Sequence, residues 1–470
     1  MICGGYSAEA EEKPLRAYQS YAVDWMLERL YVRDWPGCGL FLDPGLGKTR
    51  TTWTLLNTLF DLGEIRRALV VAPLRPVYTV WGAEAKRWGF PISNVVLHKQ
   101  HARAMSLQTQ VEFINYEGLV KVSDIAKRWD MVILDESTFV KNWSAQRTKQ
   151  IRKMVKVIPK RVILTGTPAA NSLHDLHAQM FVVDGGEALG KTVTAFRNRF
   201  CQQGGWKGRK WMVRDGVRQA ILDAIKDKVL RMEAKDYLDM PELVENDIWS
   251  RMPPNASNQY KRLKRELFAE LETGDVFAAS AAAAYTKCRQ FANGQVYTAT
   301  EEGHKETHVA HNEKLNALFE LHEELAGKPL LVFYHYKHDL ERIRNSKGSP
   351  FKGCPVLSGG MKIADVEKIL DEWNAGRHHA ILAQWQAASH GLNMQGCCND
   401  VACYGLVDSL EVYDQAIRRV YRQGVVGNQV RIHRLLTLNT VDEVMLERLQ
   451  SKNQSQSEFL MALKRHARAA

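Results

Sequence analysis

Gly45-Leu46-Gly47-Lys48-Thr49 follows the apolar run Gly39–Leu42 and precedes a stretch patterned as a helix. Residues of these types in this order can hold a triphosphate. Glycines let successive backbone N–H groups curl around phosphate oxygens, and the start of the next helix adds positive potential. The Lys48 ammonium would meet the β- and γ-phosphates, and the Thr49 hydroxyl would hold magnesium. Asp43, Gly45, Leu46 and Gly47 complete the nucleotide loop, although Leu42 stands where such a loop usually has its first glycine. A magnesium nucleotide also calls for a carboxylate at the end of a neighbouring strand, and Leu134-Asp135-Glu136-Ser137 supplies two. Asp135 is placed to hold the metal through water, and Glu136 to position and deprotonate an attacking water. A third strand-end element, Leu164-Thr165-Gly166-Thr167-Pro168, offers hydroxyls that can sense a γ-phosphate.

Far downstream, Gln415, Arg419 and Arg422 are spaced i, i+4 and i+7, so one unbroken helix would present all three on one face. Guanidinium groups there could stabilise charge on a transferring phosphoryl group, or they could bind only solvent or a DNA backbone. The cluster Lys141, Arg147, Lys149, Arg152, Lys153, Lys156, Lys160 and Arg161 reads equally well as a solvated helix face. Asp227 with Glu233 and Lys235 is a faint metal-nuclease pattern.

The elements that must position these groups alternate. Residues 39–42, 68–73, 111–114, 131–134 and 161–166 read as buried strands separated by amphipathic stretches. A second series follows at 329–336, 354–359, 379–384, 400–406 and 430–436. Near-continuous apolar strands alternating with helices predict parallel sheets covered on both faces. Two such series predict two α/β lobes, at 13–181 and 321–450. A helical insert and inter-lobe segment is expected at 182–320, and a tail at 451–470. The alanine run at 278–284 is expected to be helical, and one closing helix is expected after about Asp442.

The chain has 470 residues, with formal charge +11 and pI near 9.1. A basic balance favours polyanion partners. No apolar run is long enough to span a bilayer, and the N-terminal residues lack a secretory pattern. Eight cysteines form no CxxC pair and the histidines no HExxH set, so buried reduced thiols and no structural metal are expected.

These elements, in this order over roughly residues 13–450, resemble the Swi/Snf-type DNA-dependent ATPases of helicase superfamily two, and especially the compact versions carried by phages and prophages. Leu15-Arg16-Ala17-Tyr18-Gln19 resembles the family's adenine-reading element, which implies nucleotide contacts from Arg16 and Gln19. Residues 70–88, 113–119 and 164–171 resemble its DNA-contact and coupling motifs, implying nucleic-acid contacts at Pro73, Asn115, Tyr116 and Thr167. Residues 356–361 and 389–395 match second-lobe motifs, implying contacts at Ser358, Gly359, Gly391 and Asn393. Residues 230–241 resemble the inter-lobe segment, and 287–294 the helix after it. The chain departs from the family at Leu42-Asp43-Pro44, at Ser137-Thr138, and at Arg418 and Tyr421.

The resemblance implies two RecA-like lobes that hydrolyse ATP with magnesium between them. Lys48, Asp135, Glu136, Arg419 and Arg422 would be catalytic, with Gln415 at the nucleotide. The implied protein is a cytoplasmic monomer in a prokaryotic or phage-infected cell. It would bind double-stranded DNA, take targeting from a partner protein and move along the duplex. A strand-separating helicase, a DNA-binding switch with a weak ATPase and a nuclease are the competing readings.

Overall fold

A computed structural model describes residues 14–97, 109–169, 172–204, 210–214, 216–272, 277–299, 305–388 and 392–451. They divide into two compact units, one ending at Leu238 and the other running from Asp239 to Ser451.

Among the described residues the first unit has the strands β1 (Gly37–Leu42), β2 (Ala68–Ala72), β3 (Asn94–Val96), β4 (Val111–Asn115), β5 (Met131–Asp135), β6 (Lys160–Thr165), β7 (Cys201–Gly204), β8 (Lys210–Val213) and β9 (Val229–Met232). Its helices are α1 (Ala17–Leu27), α2 (Lys48–Asp61), α3 (Leu74–Thr79), α4 (Trp81–Arg87), α5 (Gln146–Met154), α6 (Leu176–Asp184), α7 (Val193–Phe200) and α8 (Arg218–Ile225). Seven strands form one sheet in the order β3-β4-β2-β5-β6-β1-β9, and every neighbouring pair is parallel. β7 and β8 form a separate antiparallel pair.

A parallel sheet between helical layers has no wet face, which is why β1, β2 and β4 are buried at every residue. Val71, Val132 and Ile163 belong to a core cluster with Trp129, Ile151 and Met180. Trp53, Trp81 and Phe113 form a separate aromatic contact set. Each such side chain withdrawn from water contributes about 1.5–3 kcal/mol.

The expected strands of this unit are all present, but its sheet extends further than expected. After β6 the chain passes through α6, α7 and α8, then returns as β9 beside β1. The span 182–320, expected to be a helical insert, therefore closes the first sheet with residues 229–232 and belongs to the second unit from Asp239 on. β9 escaped notice because it is four residues long and carries an arginine. That arginine is buried only because Asp43 pairs with it.

The second unit contains β10 (Glu242–Ser250), β11 (Gln295–Ala299), β12 (Lys305–Val309), β13 (Leu330–Tyr334), β14 (Val356–Leu357), β15 (Ala380–Gln384), β16 (Asp400–Tyr404) and β17 (Gln429–Thr437). Its helices are α9 (Pro254–Glu272), α10 (Phe277–Ala292), α11 (Glu313–Glu324), α12 (Lys337–Asn345), α13 (Ile363–Asn374), α14 (Trp385–Ala388) and α15 (Leu410–Ile417). Six strands lie in the order β10-β17-β16-β13-β15-β14, again all parallel, and β11 pairs with β12 in an antiparallel hairpin.

α10 spans the alanine run, as expected. Arg289 on it donates to the Asp408 carboxylate at 2.7 Å and to the Leu406 carbonyl at 2.8 Å, fixing the loop after β16. Lys314, fully buried on α11, pairs with Asp442 at 2.6 Å at the start of the closing helix, which runs over 441–451. The tail from 452 lies outside the described residues. Among the described residues, no helix is long and apolar enough to cross a membrane.

Candidate functional site

The loop between β1 and α2 turns on Gly45 and Gly47, whose φ angles of +92° and +75° lie in the left-handed region that favours glycine. Gln19 of α1 braces it. Its Nε2 donates to the Leu46 carbonyl at 3.3 Å, and its Oε1 accepts from the Arg16 N–H at 3.1 Å. A Cβ on Gly47 would come within 2.3 Å of that amide, so a side chain there would displace Gln19 from the loop. Each amide group keeps capacity for one more partner, so Gln19 can brace the loop and still meet a base.

Lys48 begins α2 and donates from Nζ to the Leu42 carbonyl at 2.9 Å. Asp43, read from sequence as a nucleotide contact, turns its carboxylate elsewhere. One oxygen accepts from Arg231 at 2.8 Å and the other from the Ala234 N–H at 3.2 Å. Its observed part is to tie the loop to β9.

β5 ends in Asp135, and its register sets Asp135 beside Leu164 of β6. The Asp135 carboxylate accepts from the Trp81 indole N–H at 3.0 Å. Burial first, and then the neighbouring Glu136 charge, push its pKa up to about 6, while the Lys48 ammonium is close enough to oppose the rise. Lys48, Asp135 and Glu136 thus share one electrostatic environment. Glu136 itself has φ +53°, a left-handed conformation that is strained by about 1–2 kcal/mol for a residue with a side chain. The Tyr116 hydroxyl secures this turn by donating to the Asp135 carbonyl at 2.7 Å, with Glu136 O at 3.3 Å. The Tyr116 ring stacks on Phe139 at 4.9 Å.

The β6 end packs directly on the loop, since a Cβ on Gly166 would meet the Pro44 ring at 3.1 Å and Leu42 O at 3.3 Å. Gln179 of α6, fully buried, links two of these strand ends. Its Oε1 accepts from the Ser137 hydroxyl at 2.7 Å, and its Nε2 donates to the carbonyls of Pro168 at 2.7 Å and Asp175 at 2.8 Å. Thr49 and the Asp135 carboxylate are oxygen donors of the kind a magnesium ion takes, and the buried acid suits a dication.

The residues expected to touch nucleic acid fare differently. Tyr116 is fully buried and holds the Asp135-Glu136 turn, so it does not offer a surface contact. Pro73 and Thr167 are buried as well, and the Asn115 amide donates to Glu117 at 2.8 Å. The exposed groups beside Pro73 are Leu74 and Tyr78 of α3, which the sequence reading did not single out. In the second unit Gly359 and Asn393 are exposed and Ser358 is half-buried, while Gly391 lies outside the described residues.

α15 stops at Ile417, so Gln415, Arg419 and Arg422 do not share a helix face as expected. Gln415 is buried on the helix, and the two arginines follow in a turn. The turn is nevertheless ordered by hydrogen bonds. Arg422 Nε donates to the Arg418 carbonyl at 2.6 Å and Nη1 to Asn393, while the Arg419 carbonyl accepts from the Met394 N–H at 3.1 Å. Burial, then repulsion from Arg419 and Arg418, lowers the Arg422 pKa to about 9, as expected for crowded cations that an anion would relieve.

The nuclease pattern does not assemble. Asp227 lies in the turn before β9 and Glu233 just after it, so the four-residue strand holds them apart by more than roughly 10 Å. Glu233 instead pairs with Lys235 at 3.1 Å and with Arg231 at 3.9 Å.

The model of the SNF2-related domain matches residues 18–299, more than half of the chain, and the helicase conserved C-terminal domain matches residues 313–424. The chain belongs to the SNF2-related family. Its membership makes it a helicase-like ATP hydrolase.

Protein p41 of Acyrthosiphon pisum secondary endosymbiont phage 1 is 33% identical to this SNF2-related chain, over 96% of the chain and 98% of the phage protein. Nuclear protein STH1/NPS1 of Saccharomyces cerevisiae is 24% identical over 93% of the chain. A human SWI/SNF-related regulator of chromatin, subfamily A member 1, is also 24% identical over 93%. The chain spans only 34% and 43% of those two longer proteins. Among solved structures, the Sulfolobus solfataricus SWI2/SNF2 ATPase core in complex with dsDNA aligns with a TM-score of 0.45 and 22% identity, covering 96% of this chain and 95% of that one.

Two site residues of this SNF2-related chain carry no motif signal. Trp81 lies inside the run 70–88 with no motif position of its own, and Gln179 lies among the mostly apolar, buried residues of α6. Gln179→Leu is expected to lower kcat by several-fold to about thirtyfold while ATP affinity stays within about twofold, because the bridge couples strand ends without touching nucleotide. Ser137→Ala should give a smaller loss, and the double variant should be less than additive. Steady-state kinetics on the three variants, with thermal unfolding as control, would show this. An unchanged kcat would leave Gln179 a packing residue only.

Proposed function

We propose that the chain is an ATP-driven motor that moves along double-stranded DNA without separating its strands. The observation that supports this most is the first unit's assembly of Lys48, Asp135 and Glu136 around one glycine turn. Gln19, the Tyr116-held turn and the Gln179 bridge are built onto the same strand ends. This is a hydrolytic site with its supports, which favours a working ATPase over a DNA-binding switch with a weak one.

In this reading Lys48 binds the phosphates, and Gln19 and Arg16 orient the base. Glu136, held in its unusual backbone conformation, aligns a water and takes its proton. Thr49 and Asp135 would hold magnesium, which supplies positive charge to the β- and γ-phosphates. Arg419 and Arg422 are assigned to the charge that develops on the transferring phosphoryl group. Three guanidinium groups gathered at Arg418, Arg419 and Arg422 would favour a polyanion there. Leu74, Tyr78, Lys86 and Arg87 in 70–88, and Gly359 and Asn393 in the second unit, are among the exposed positions of the motifs assigned to DNA, and the two cations suit a phosphate backbone. Contacts of this kind track phosphates, so sequence preference should be weak.

Strand separation needs a wedge or stacking platform. Trp211 is not free to act as one, because it packs against the first unit's core with Arg197 over its ring. Trp206 lies outside the described residues.

The test compares ATP hydrolysis with duplex DNA, single-stranded DNA and RNA, then two displacement substrates. Duplex DNA should stimulate hydrolysis most. A third strand should leave its duplex in an ATP-dependent way while a forked duplex stays annealed. Fork unwinding without third-strand displacement would instead establish a strand-separating helicase.

A further inference from the structure

The six residues after β9 bring a second aromatic ring to the nucleotide loop. Asp43 holds this segment through Arg231 and the Ala234 N–H. A short turn follows, in which the N–H groups of Tyr237 and Leu238 both donate to the Ala234 carbonyl, at 3.1 and 2.9 Å. The turn sets Leu238 over the loop, its Cδ1 3.7 Å from where a Cβ on Gly45 would lie. It also sets the Tyr237 ring against Tyr18, with centroids 4.8 Å apart and planes tilted by 38°. Tyr18 is buried and adjoins Gln19, the residue that touches the loop at Gly47. Tyr237 remains 38% exposed. A ring fixed on one side by another ring and open on the other is a ready stacking surface. It stands on the Gln19 side of the glycine turn, whereas Lys48 and Asp135 mark the phosphate side.

Resting on the nucleotide-site assignment above, we propose that Tyr237 is a further nucleotide-binding residue, which stacks on the purine base while Gln19 meets the base edge. The site then has a base wall made by the last two residues of the first unit, and ATP binding orders the point where the chain leaves that unit. Stacking acts on the base and not on the phosphates, so it should distinguish ATP from a base-free polyanion.

The experiment measures affinity for ATP and for inorganic tripolyphosphate, by competition against a fluorescent nucleotide, in the full chain and in Tyr237→Ala, Tyr237→Phe and Lys48→Ala. Tyr237→Ala should weaken ATP binding about tenfold, visible in KM more than in kcat, and leave tripolyphosphate binding as it was. Tyr237→Phe should keep ATP affinity within about twofold, since the ring remains. Unchanged ATP affinity in Tyr237→Ala, with affinity lost in Lys48→Ala, would overturn the base contact and leave the phosphate site standing. Equal loss of ATP and tripolyphosphate would overturn it too, by showing that the residue only braces the loop. Undiminished affinity in Lys48→Ala would overturn the site assignment itself and this inference with it.

Discussion

Lys48→Ala is expected to lower ATP turnover by about 100- to 1,000-fold, the scale seen when one preorganised charge is removed from a reacting anion. The ammonium donates to the Leu42 carbonyl at 2.9 Å and lies close enough to Asp135 to oppose the rise in its pKa. Truncation therefore removes a cation from the phosphate side and also leaves the acidic pair less balanced. Lys48 is half-exposed at the first position of α2, where alanine is a good helix former, so unfolding temperature should change little. A malachite-green phosphate assay with and without duplex DNA, beside a thermal melt, would check both halves. Near-normal DNA-stimulated hydrolysis would sink the phosphate-loop assignment and leave the glycine turn as a structural bend.

Glu136→Gln is expected to keep ATP binding and lose hydrolysis by about 100- to 10,000-fold, the range contributed by a positioned general base. The amide preserves the carboxylate's shape and cannot accept the water's proton. The left-handed backbone at +53° is held by the Tyr116 hydroxyl and the Phe139 stack, which the substitution does not touch. Binding and turnover should separate as a result. Titration with a fluorescent ATP analogue and single-turnover hydrolysis would measure each. Binding lost as heavily as turnover would make Glu136 a structural residue. Turnover retained would revive the reading of a DNA-binding switch whose ATPase is incidental.

Much of the fold was legible because a buried parallel strand is mostly apolar. The runs at 39–42, 68–73 and 131–134 could be little else, and all are strands. Two strands that carry charged residues in no apolar run were not legible. Arg231 in β9 is buried against Asp43, and β10, at the edge of its sheet, is charged because it is wet.

At the site, glycine and carboxylate positions could be read because their chemistry constrains residue type. The supports could not, because an indole, a phenol or an amide gains its role only from what the fold sets opposite it. Trp81, Tyr116 and Gln179 show this, and Tyr116, expected at nucleic acid, is buried with its hydroxyl on the Asp135 carbonyl. The helix face drawn through Gln415, Arg419 and Arg422 failed for a local reason. α15 ends at Ile417, where the chain turns and the Arg419 carbonyl takes the Met394 N–H.

The place of β9 bears on how the protein is made. β1 pairs on one side with β6 and on the other with β9, and Asp43 meets its arginine across 188 residues of sequence. A ribosome delivers β1 early and β9 much later, so the nascent chain carries an apolar strand with one edge unsatisfied while α6 to α8 are still emerging. Long-range parallel closure of this kind is slow and leaves intermediates open to association. Until Arg231 and Ala234 arrive, the Asp43 carboxylate lacks the two partners that anchor the turn. On this order of events the catalytic loop matures late in synthesis, and a growing chain acquires its enzymatic competence only after the first unit has been completed to its last residues.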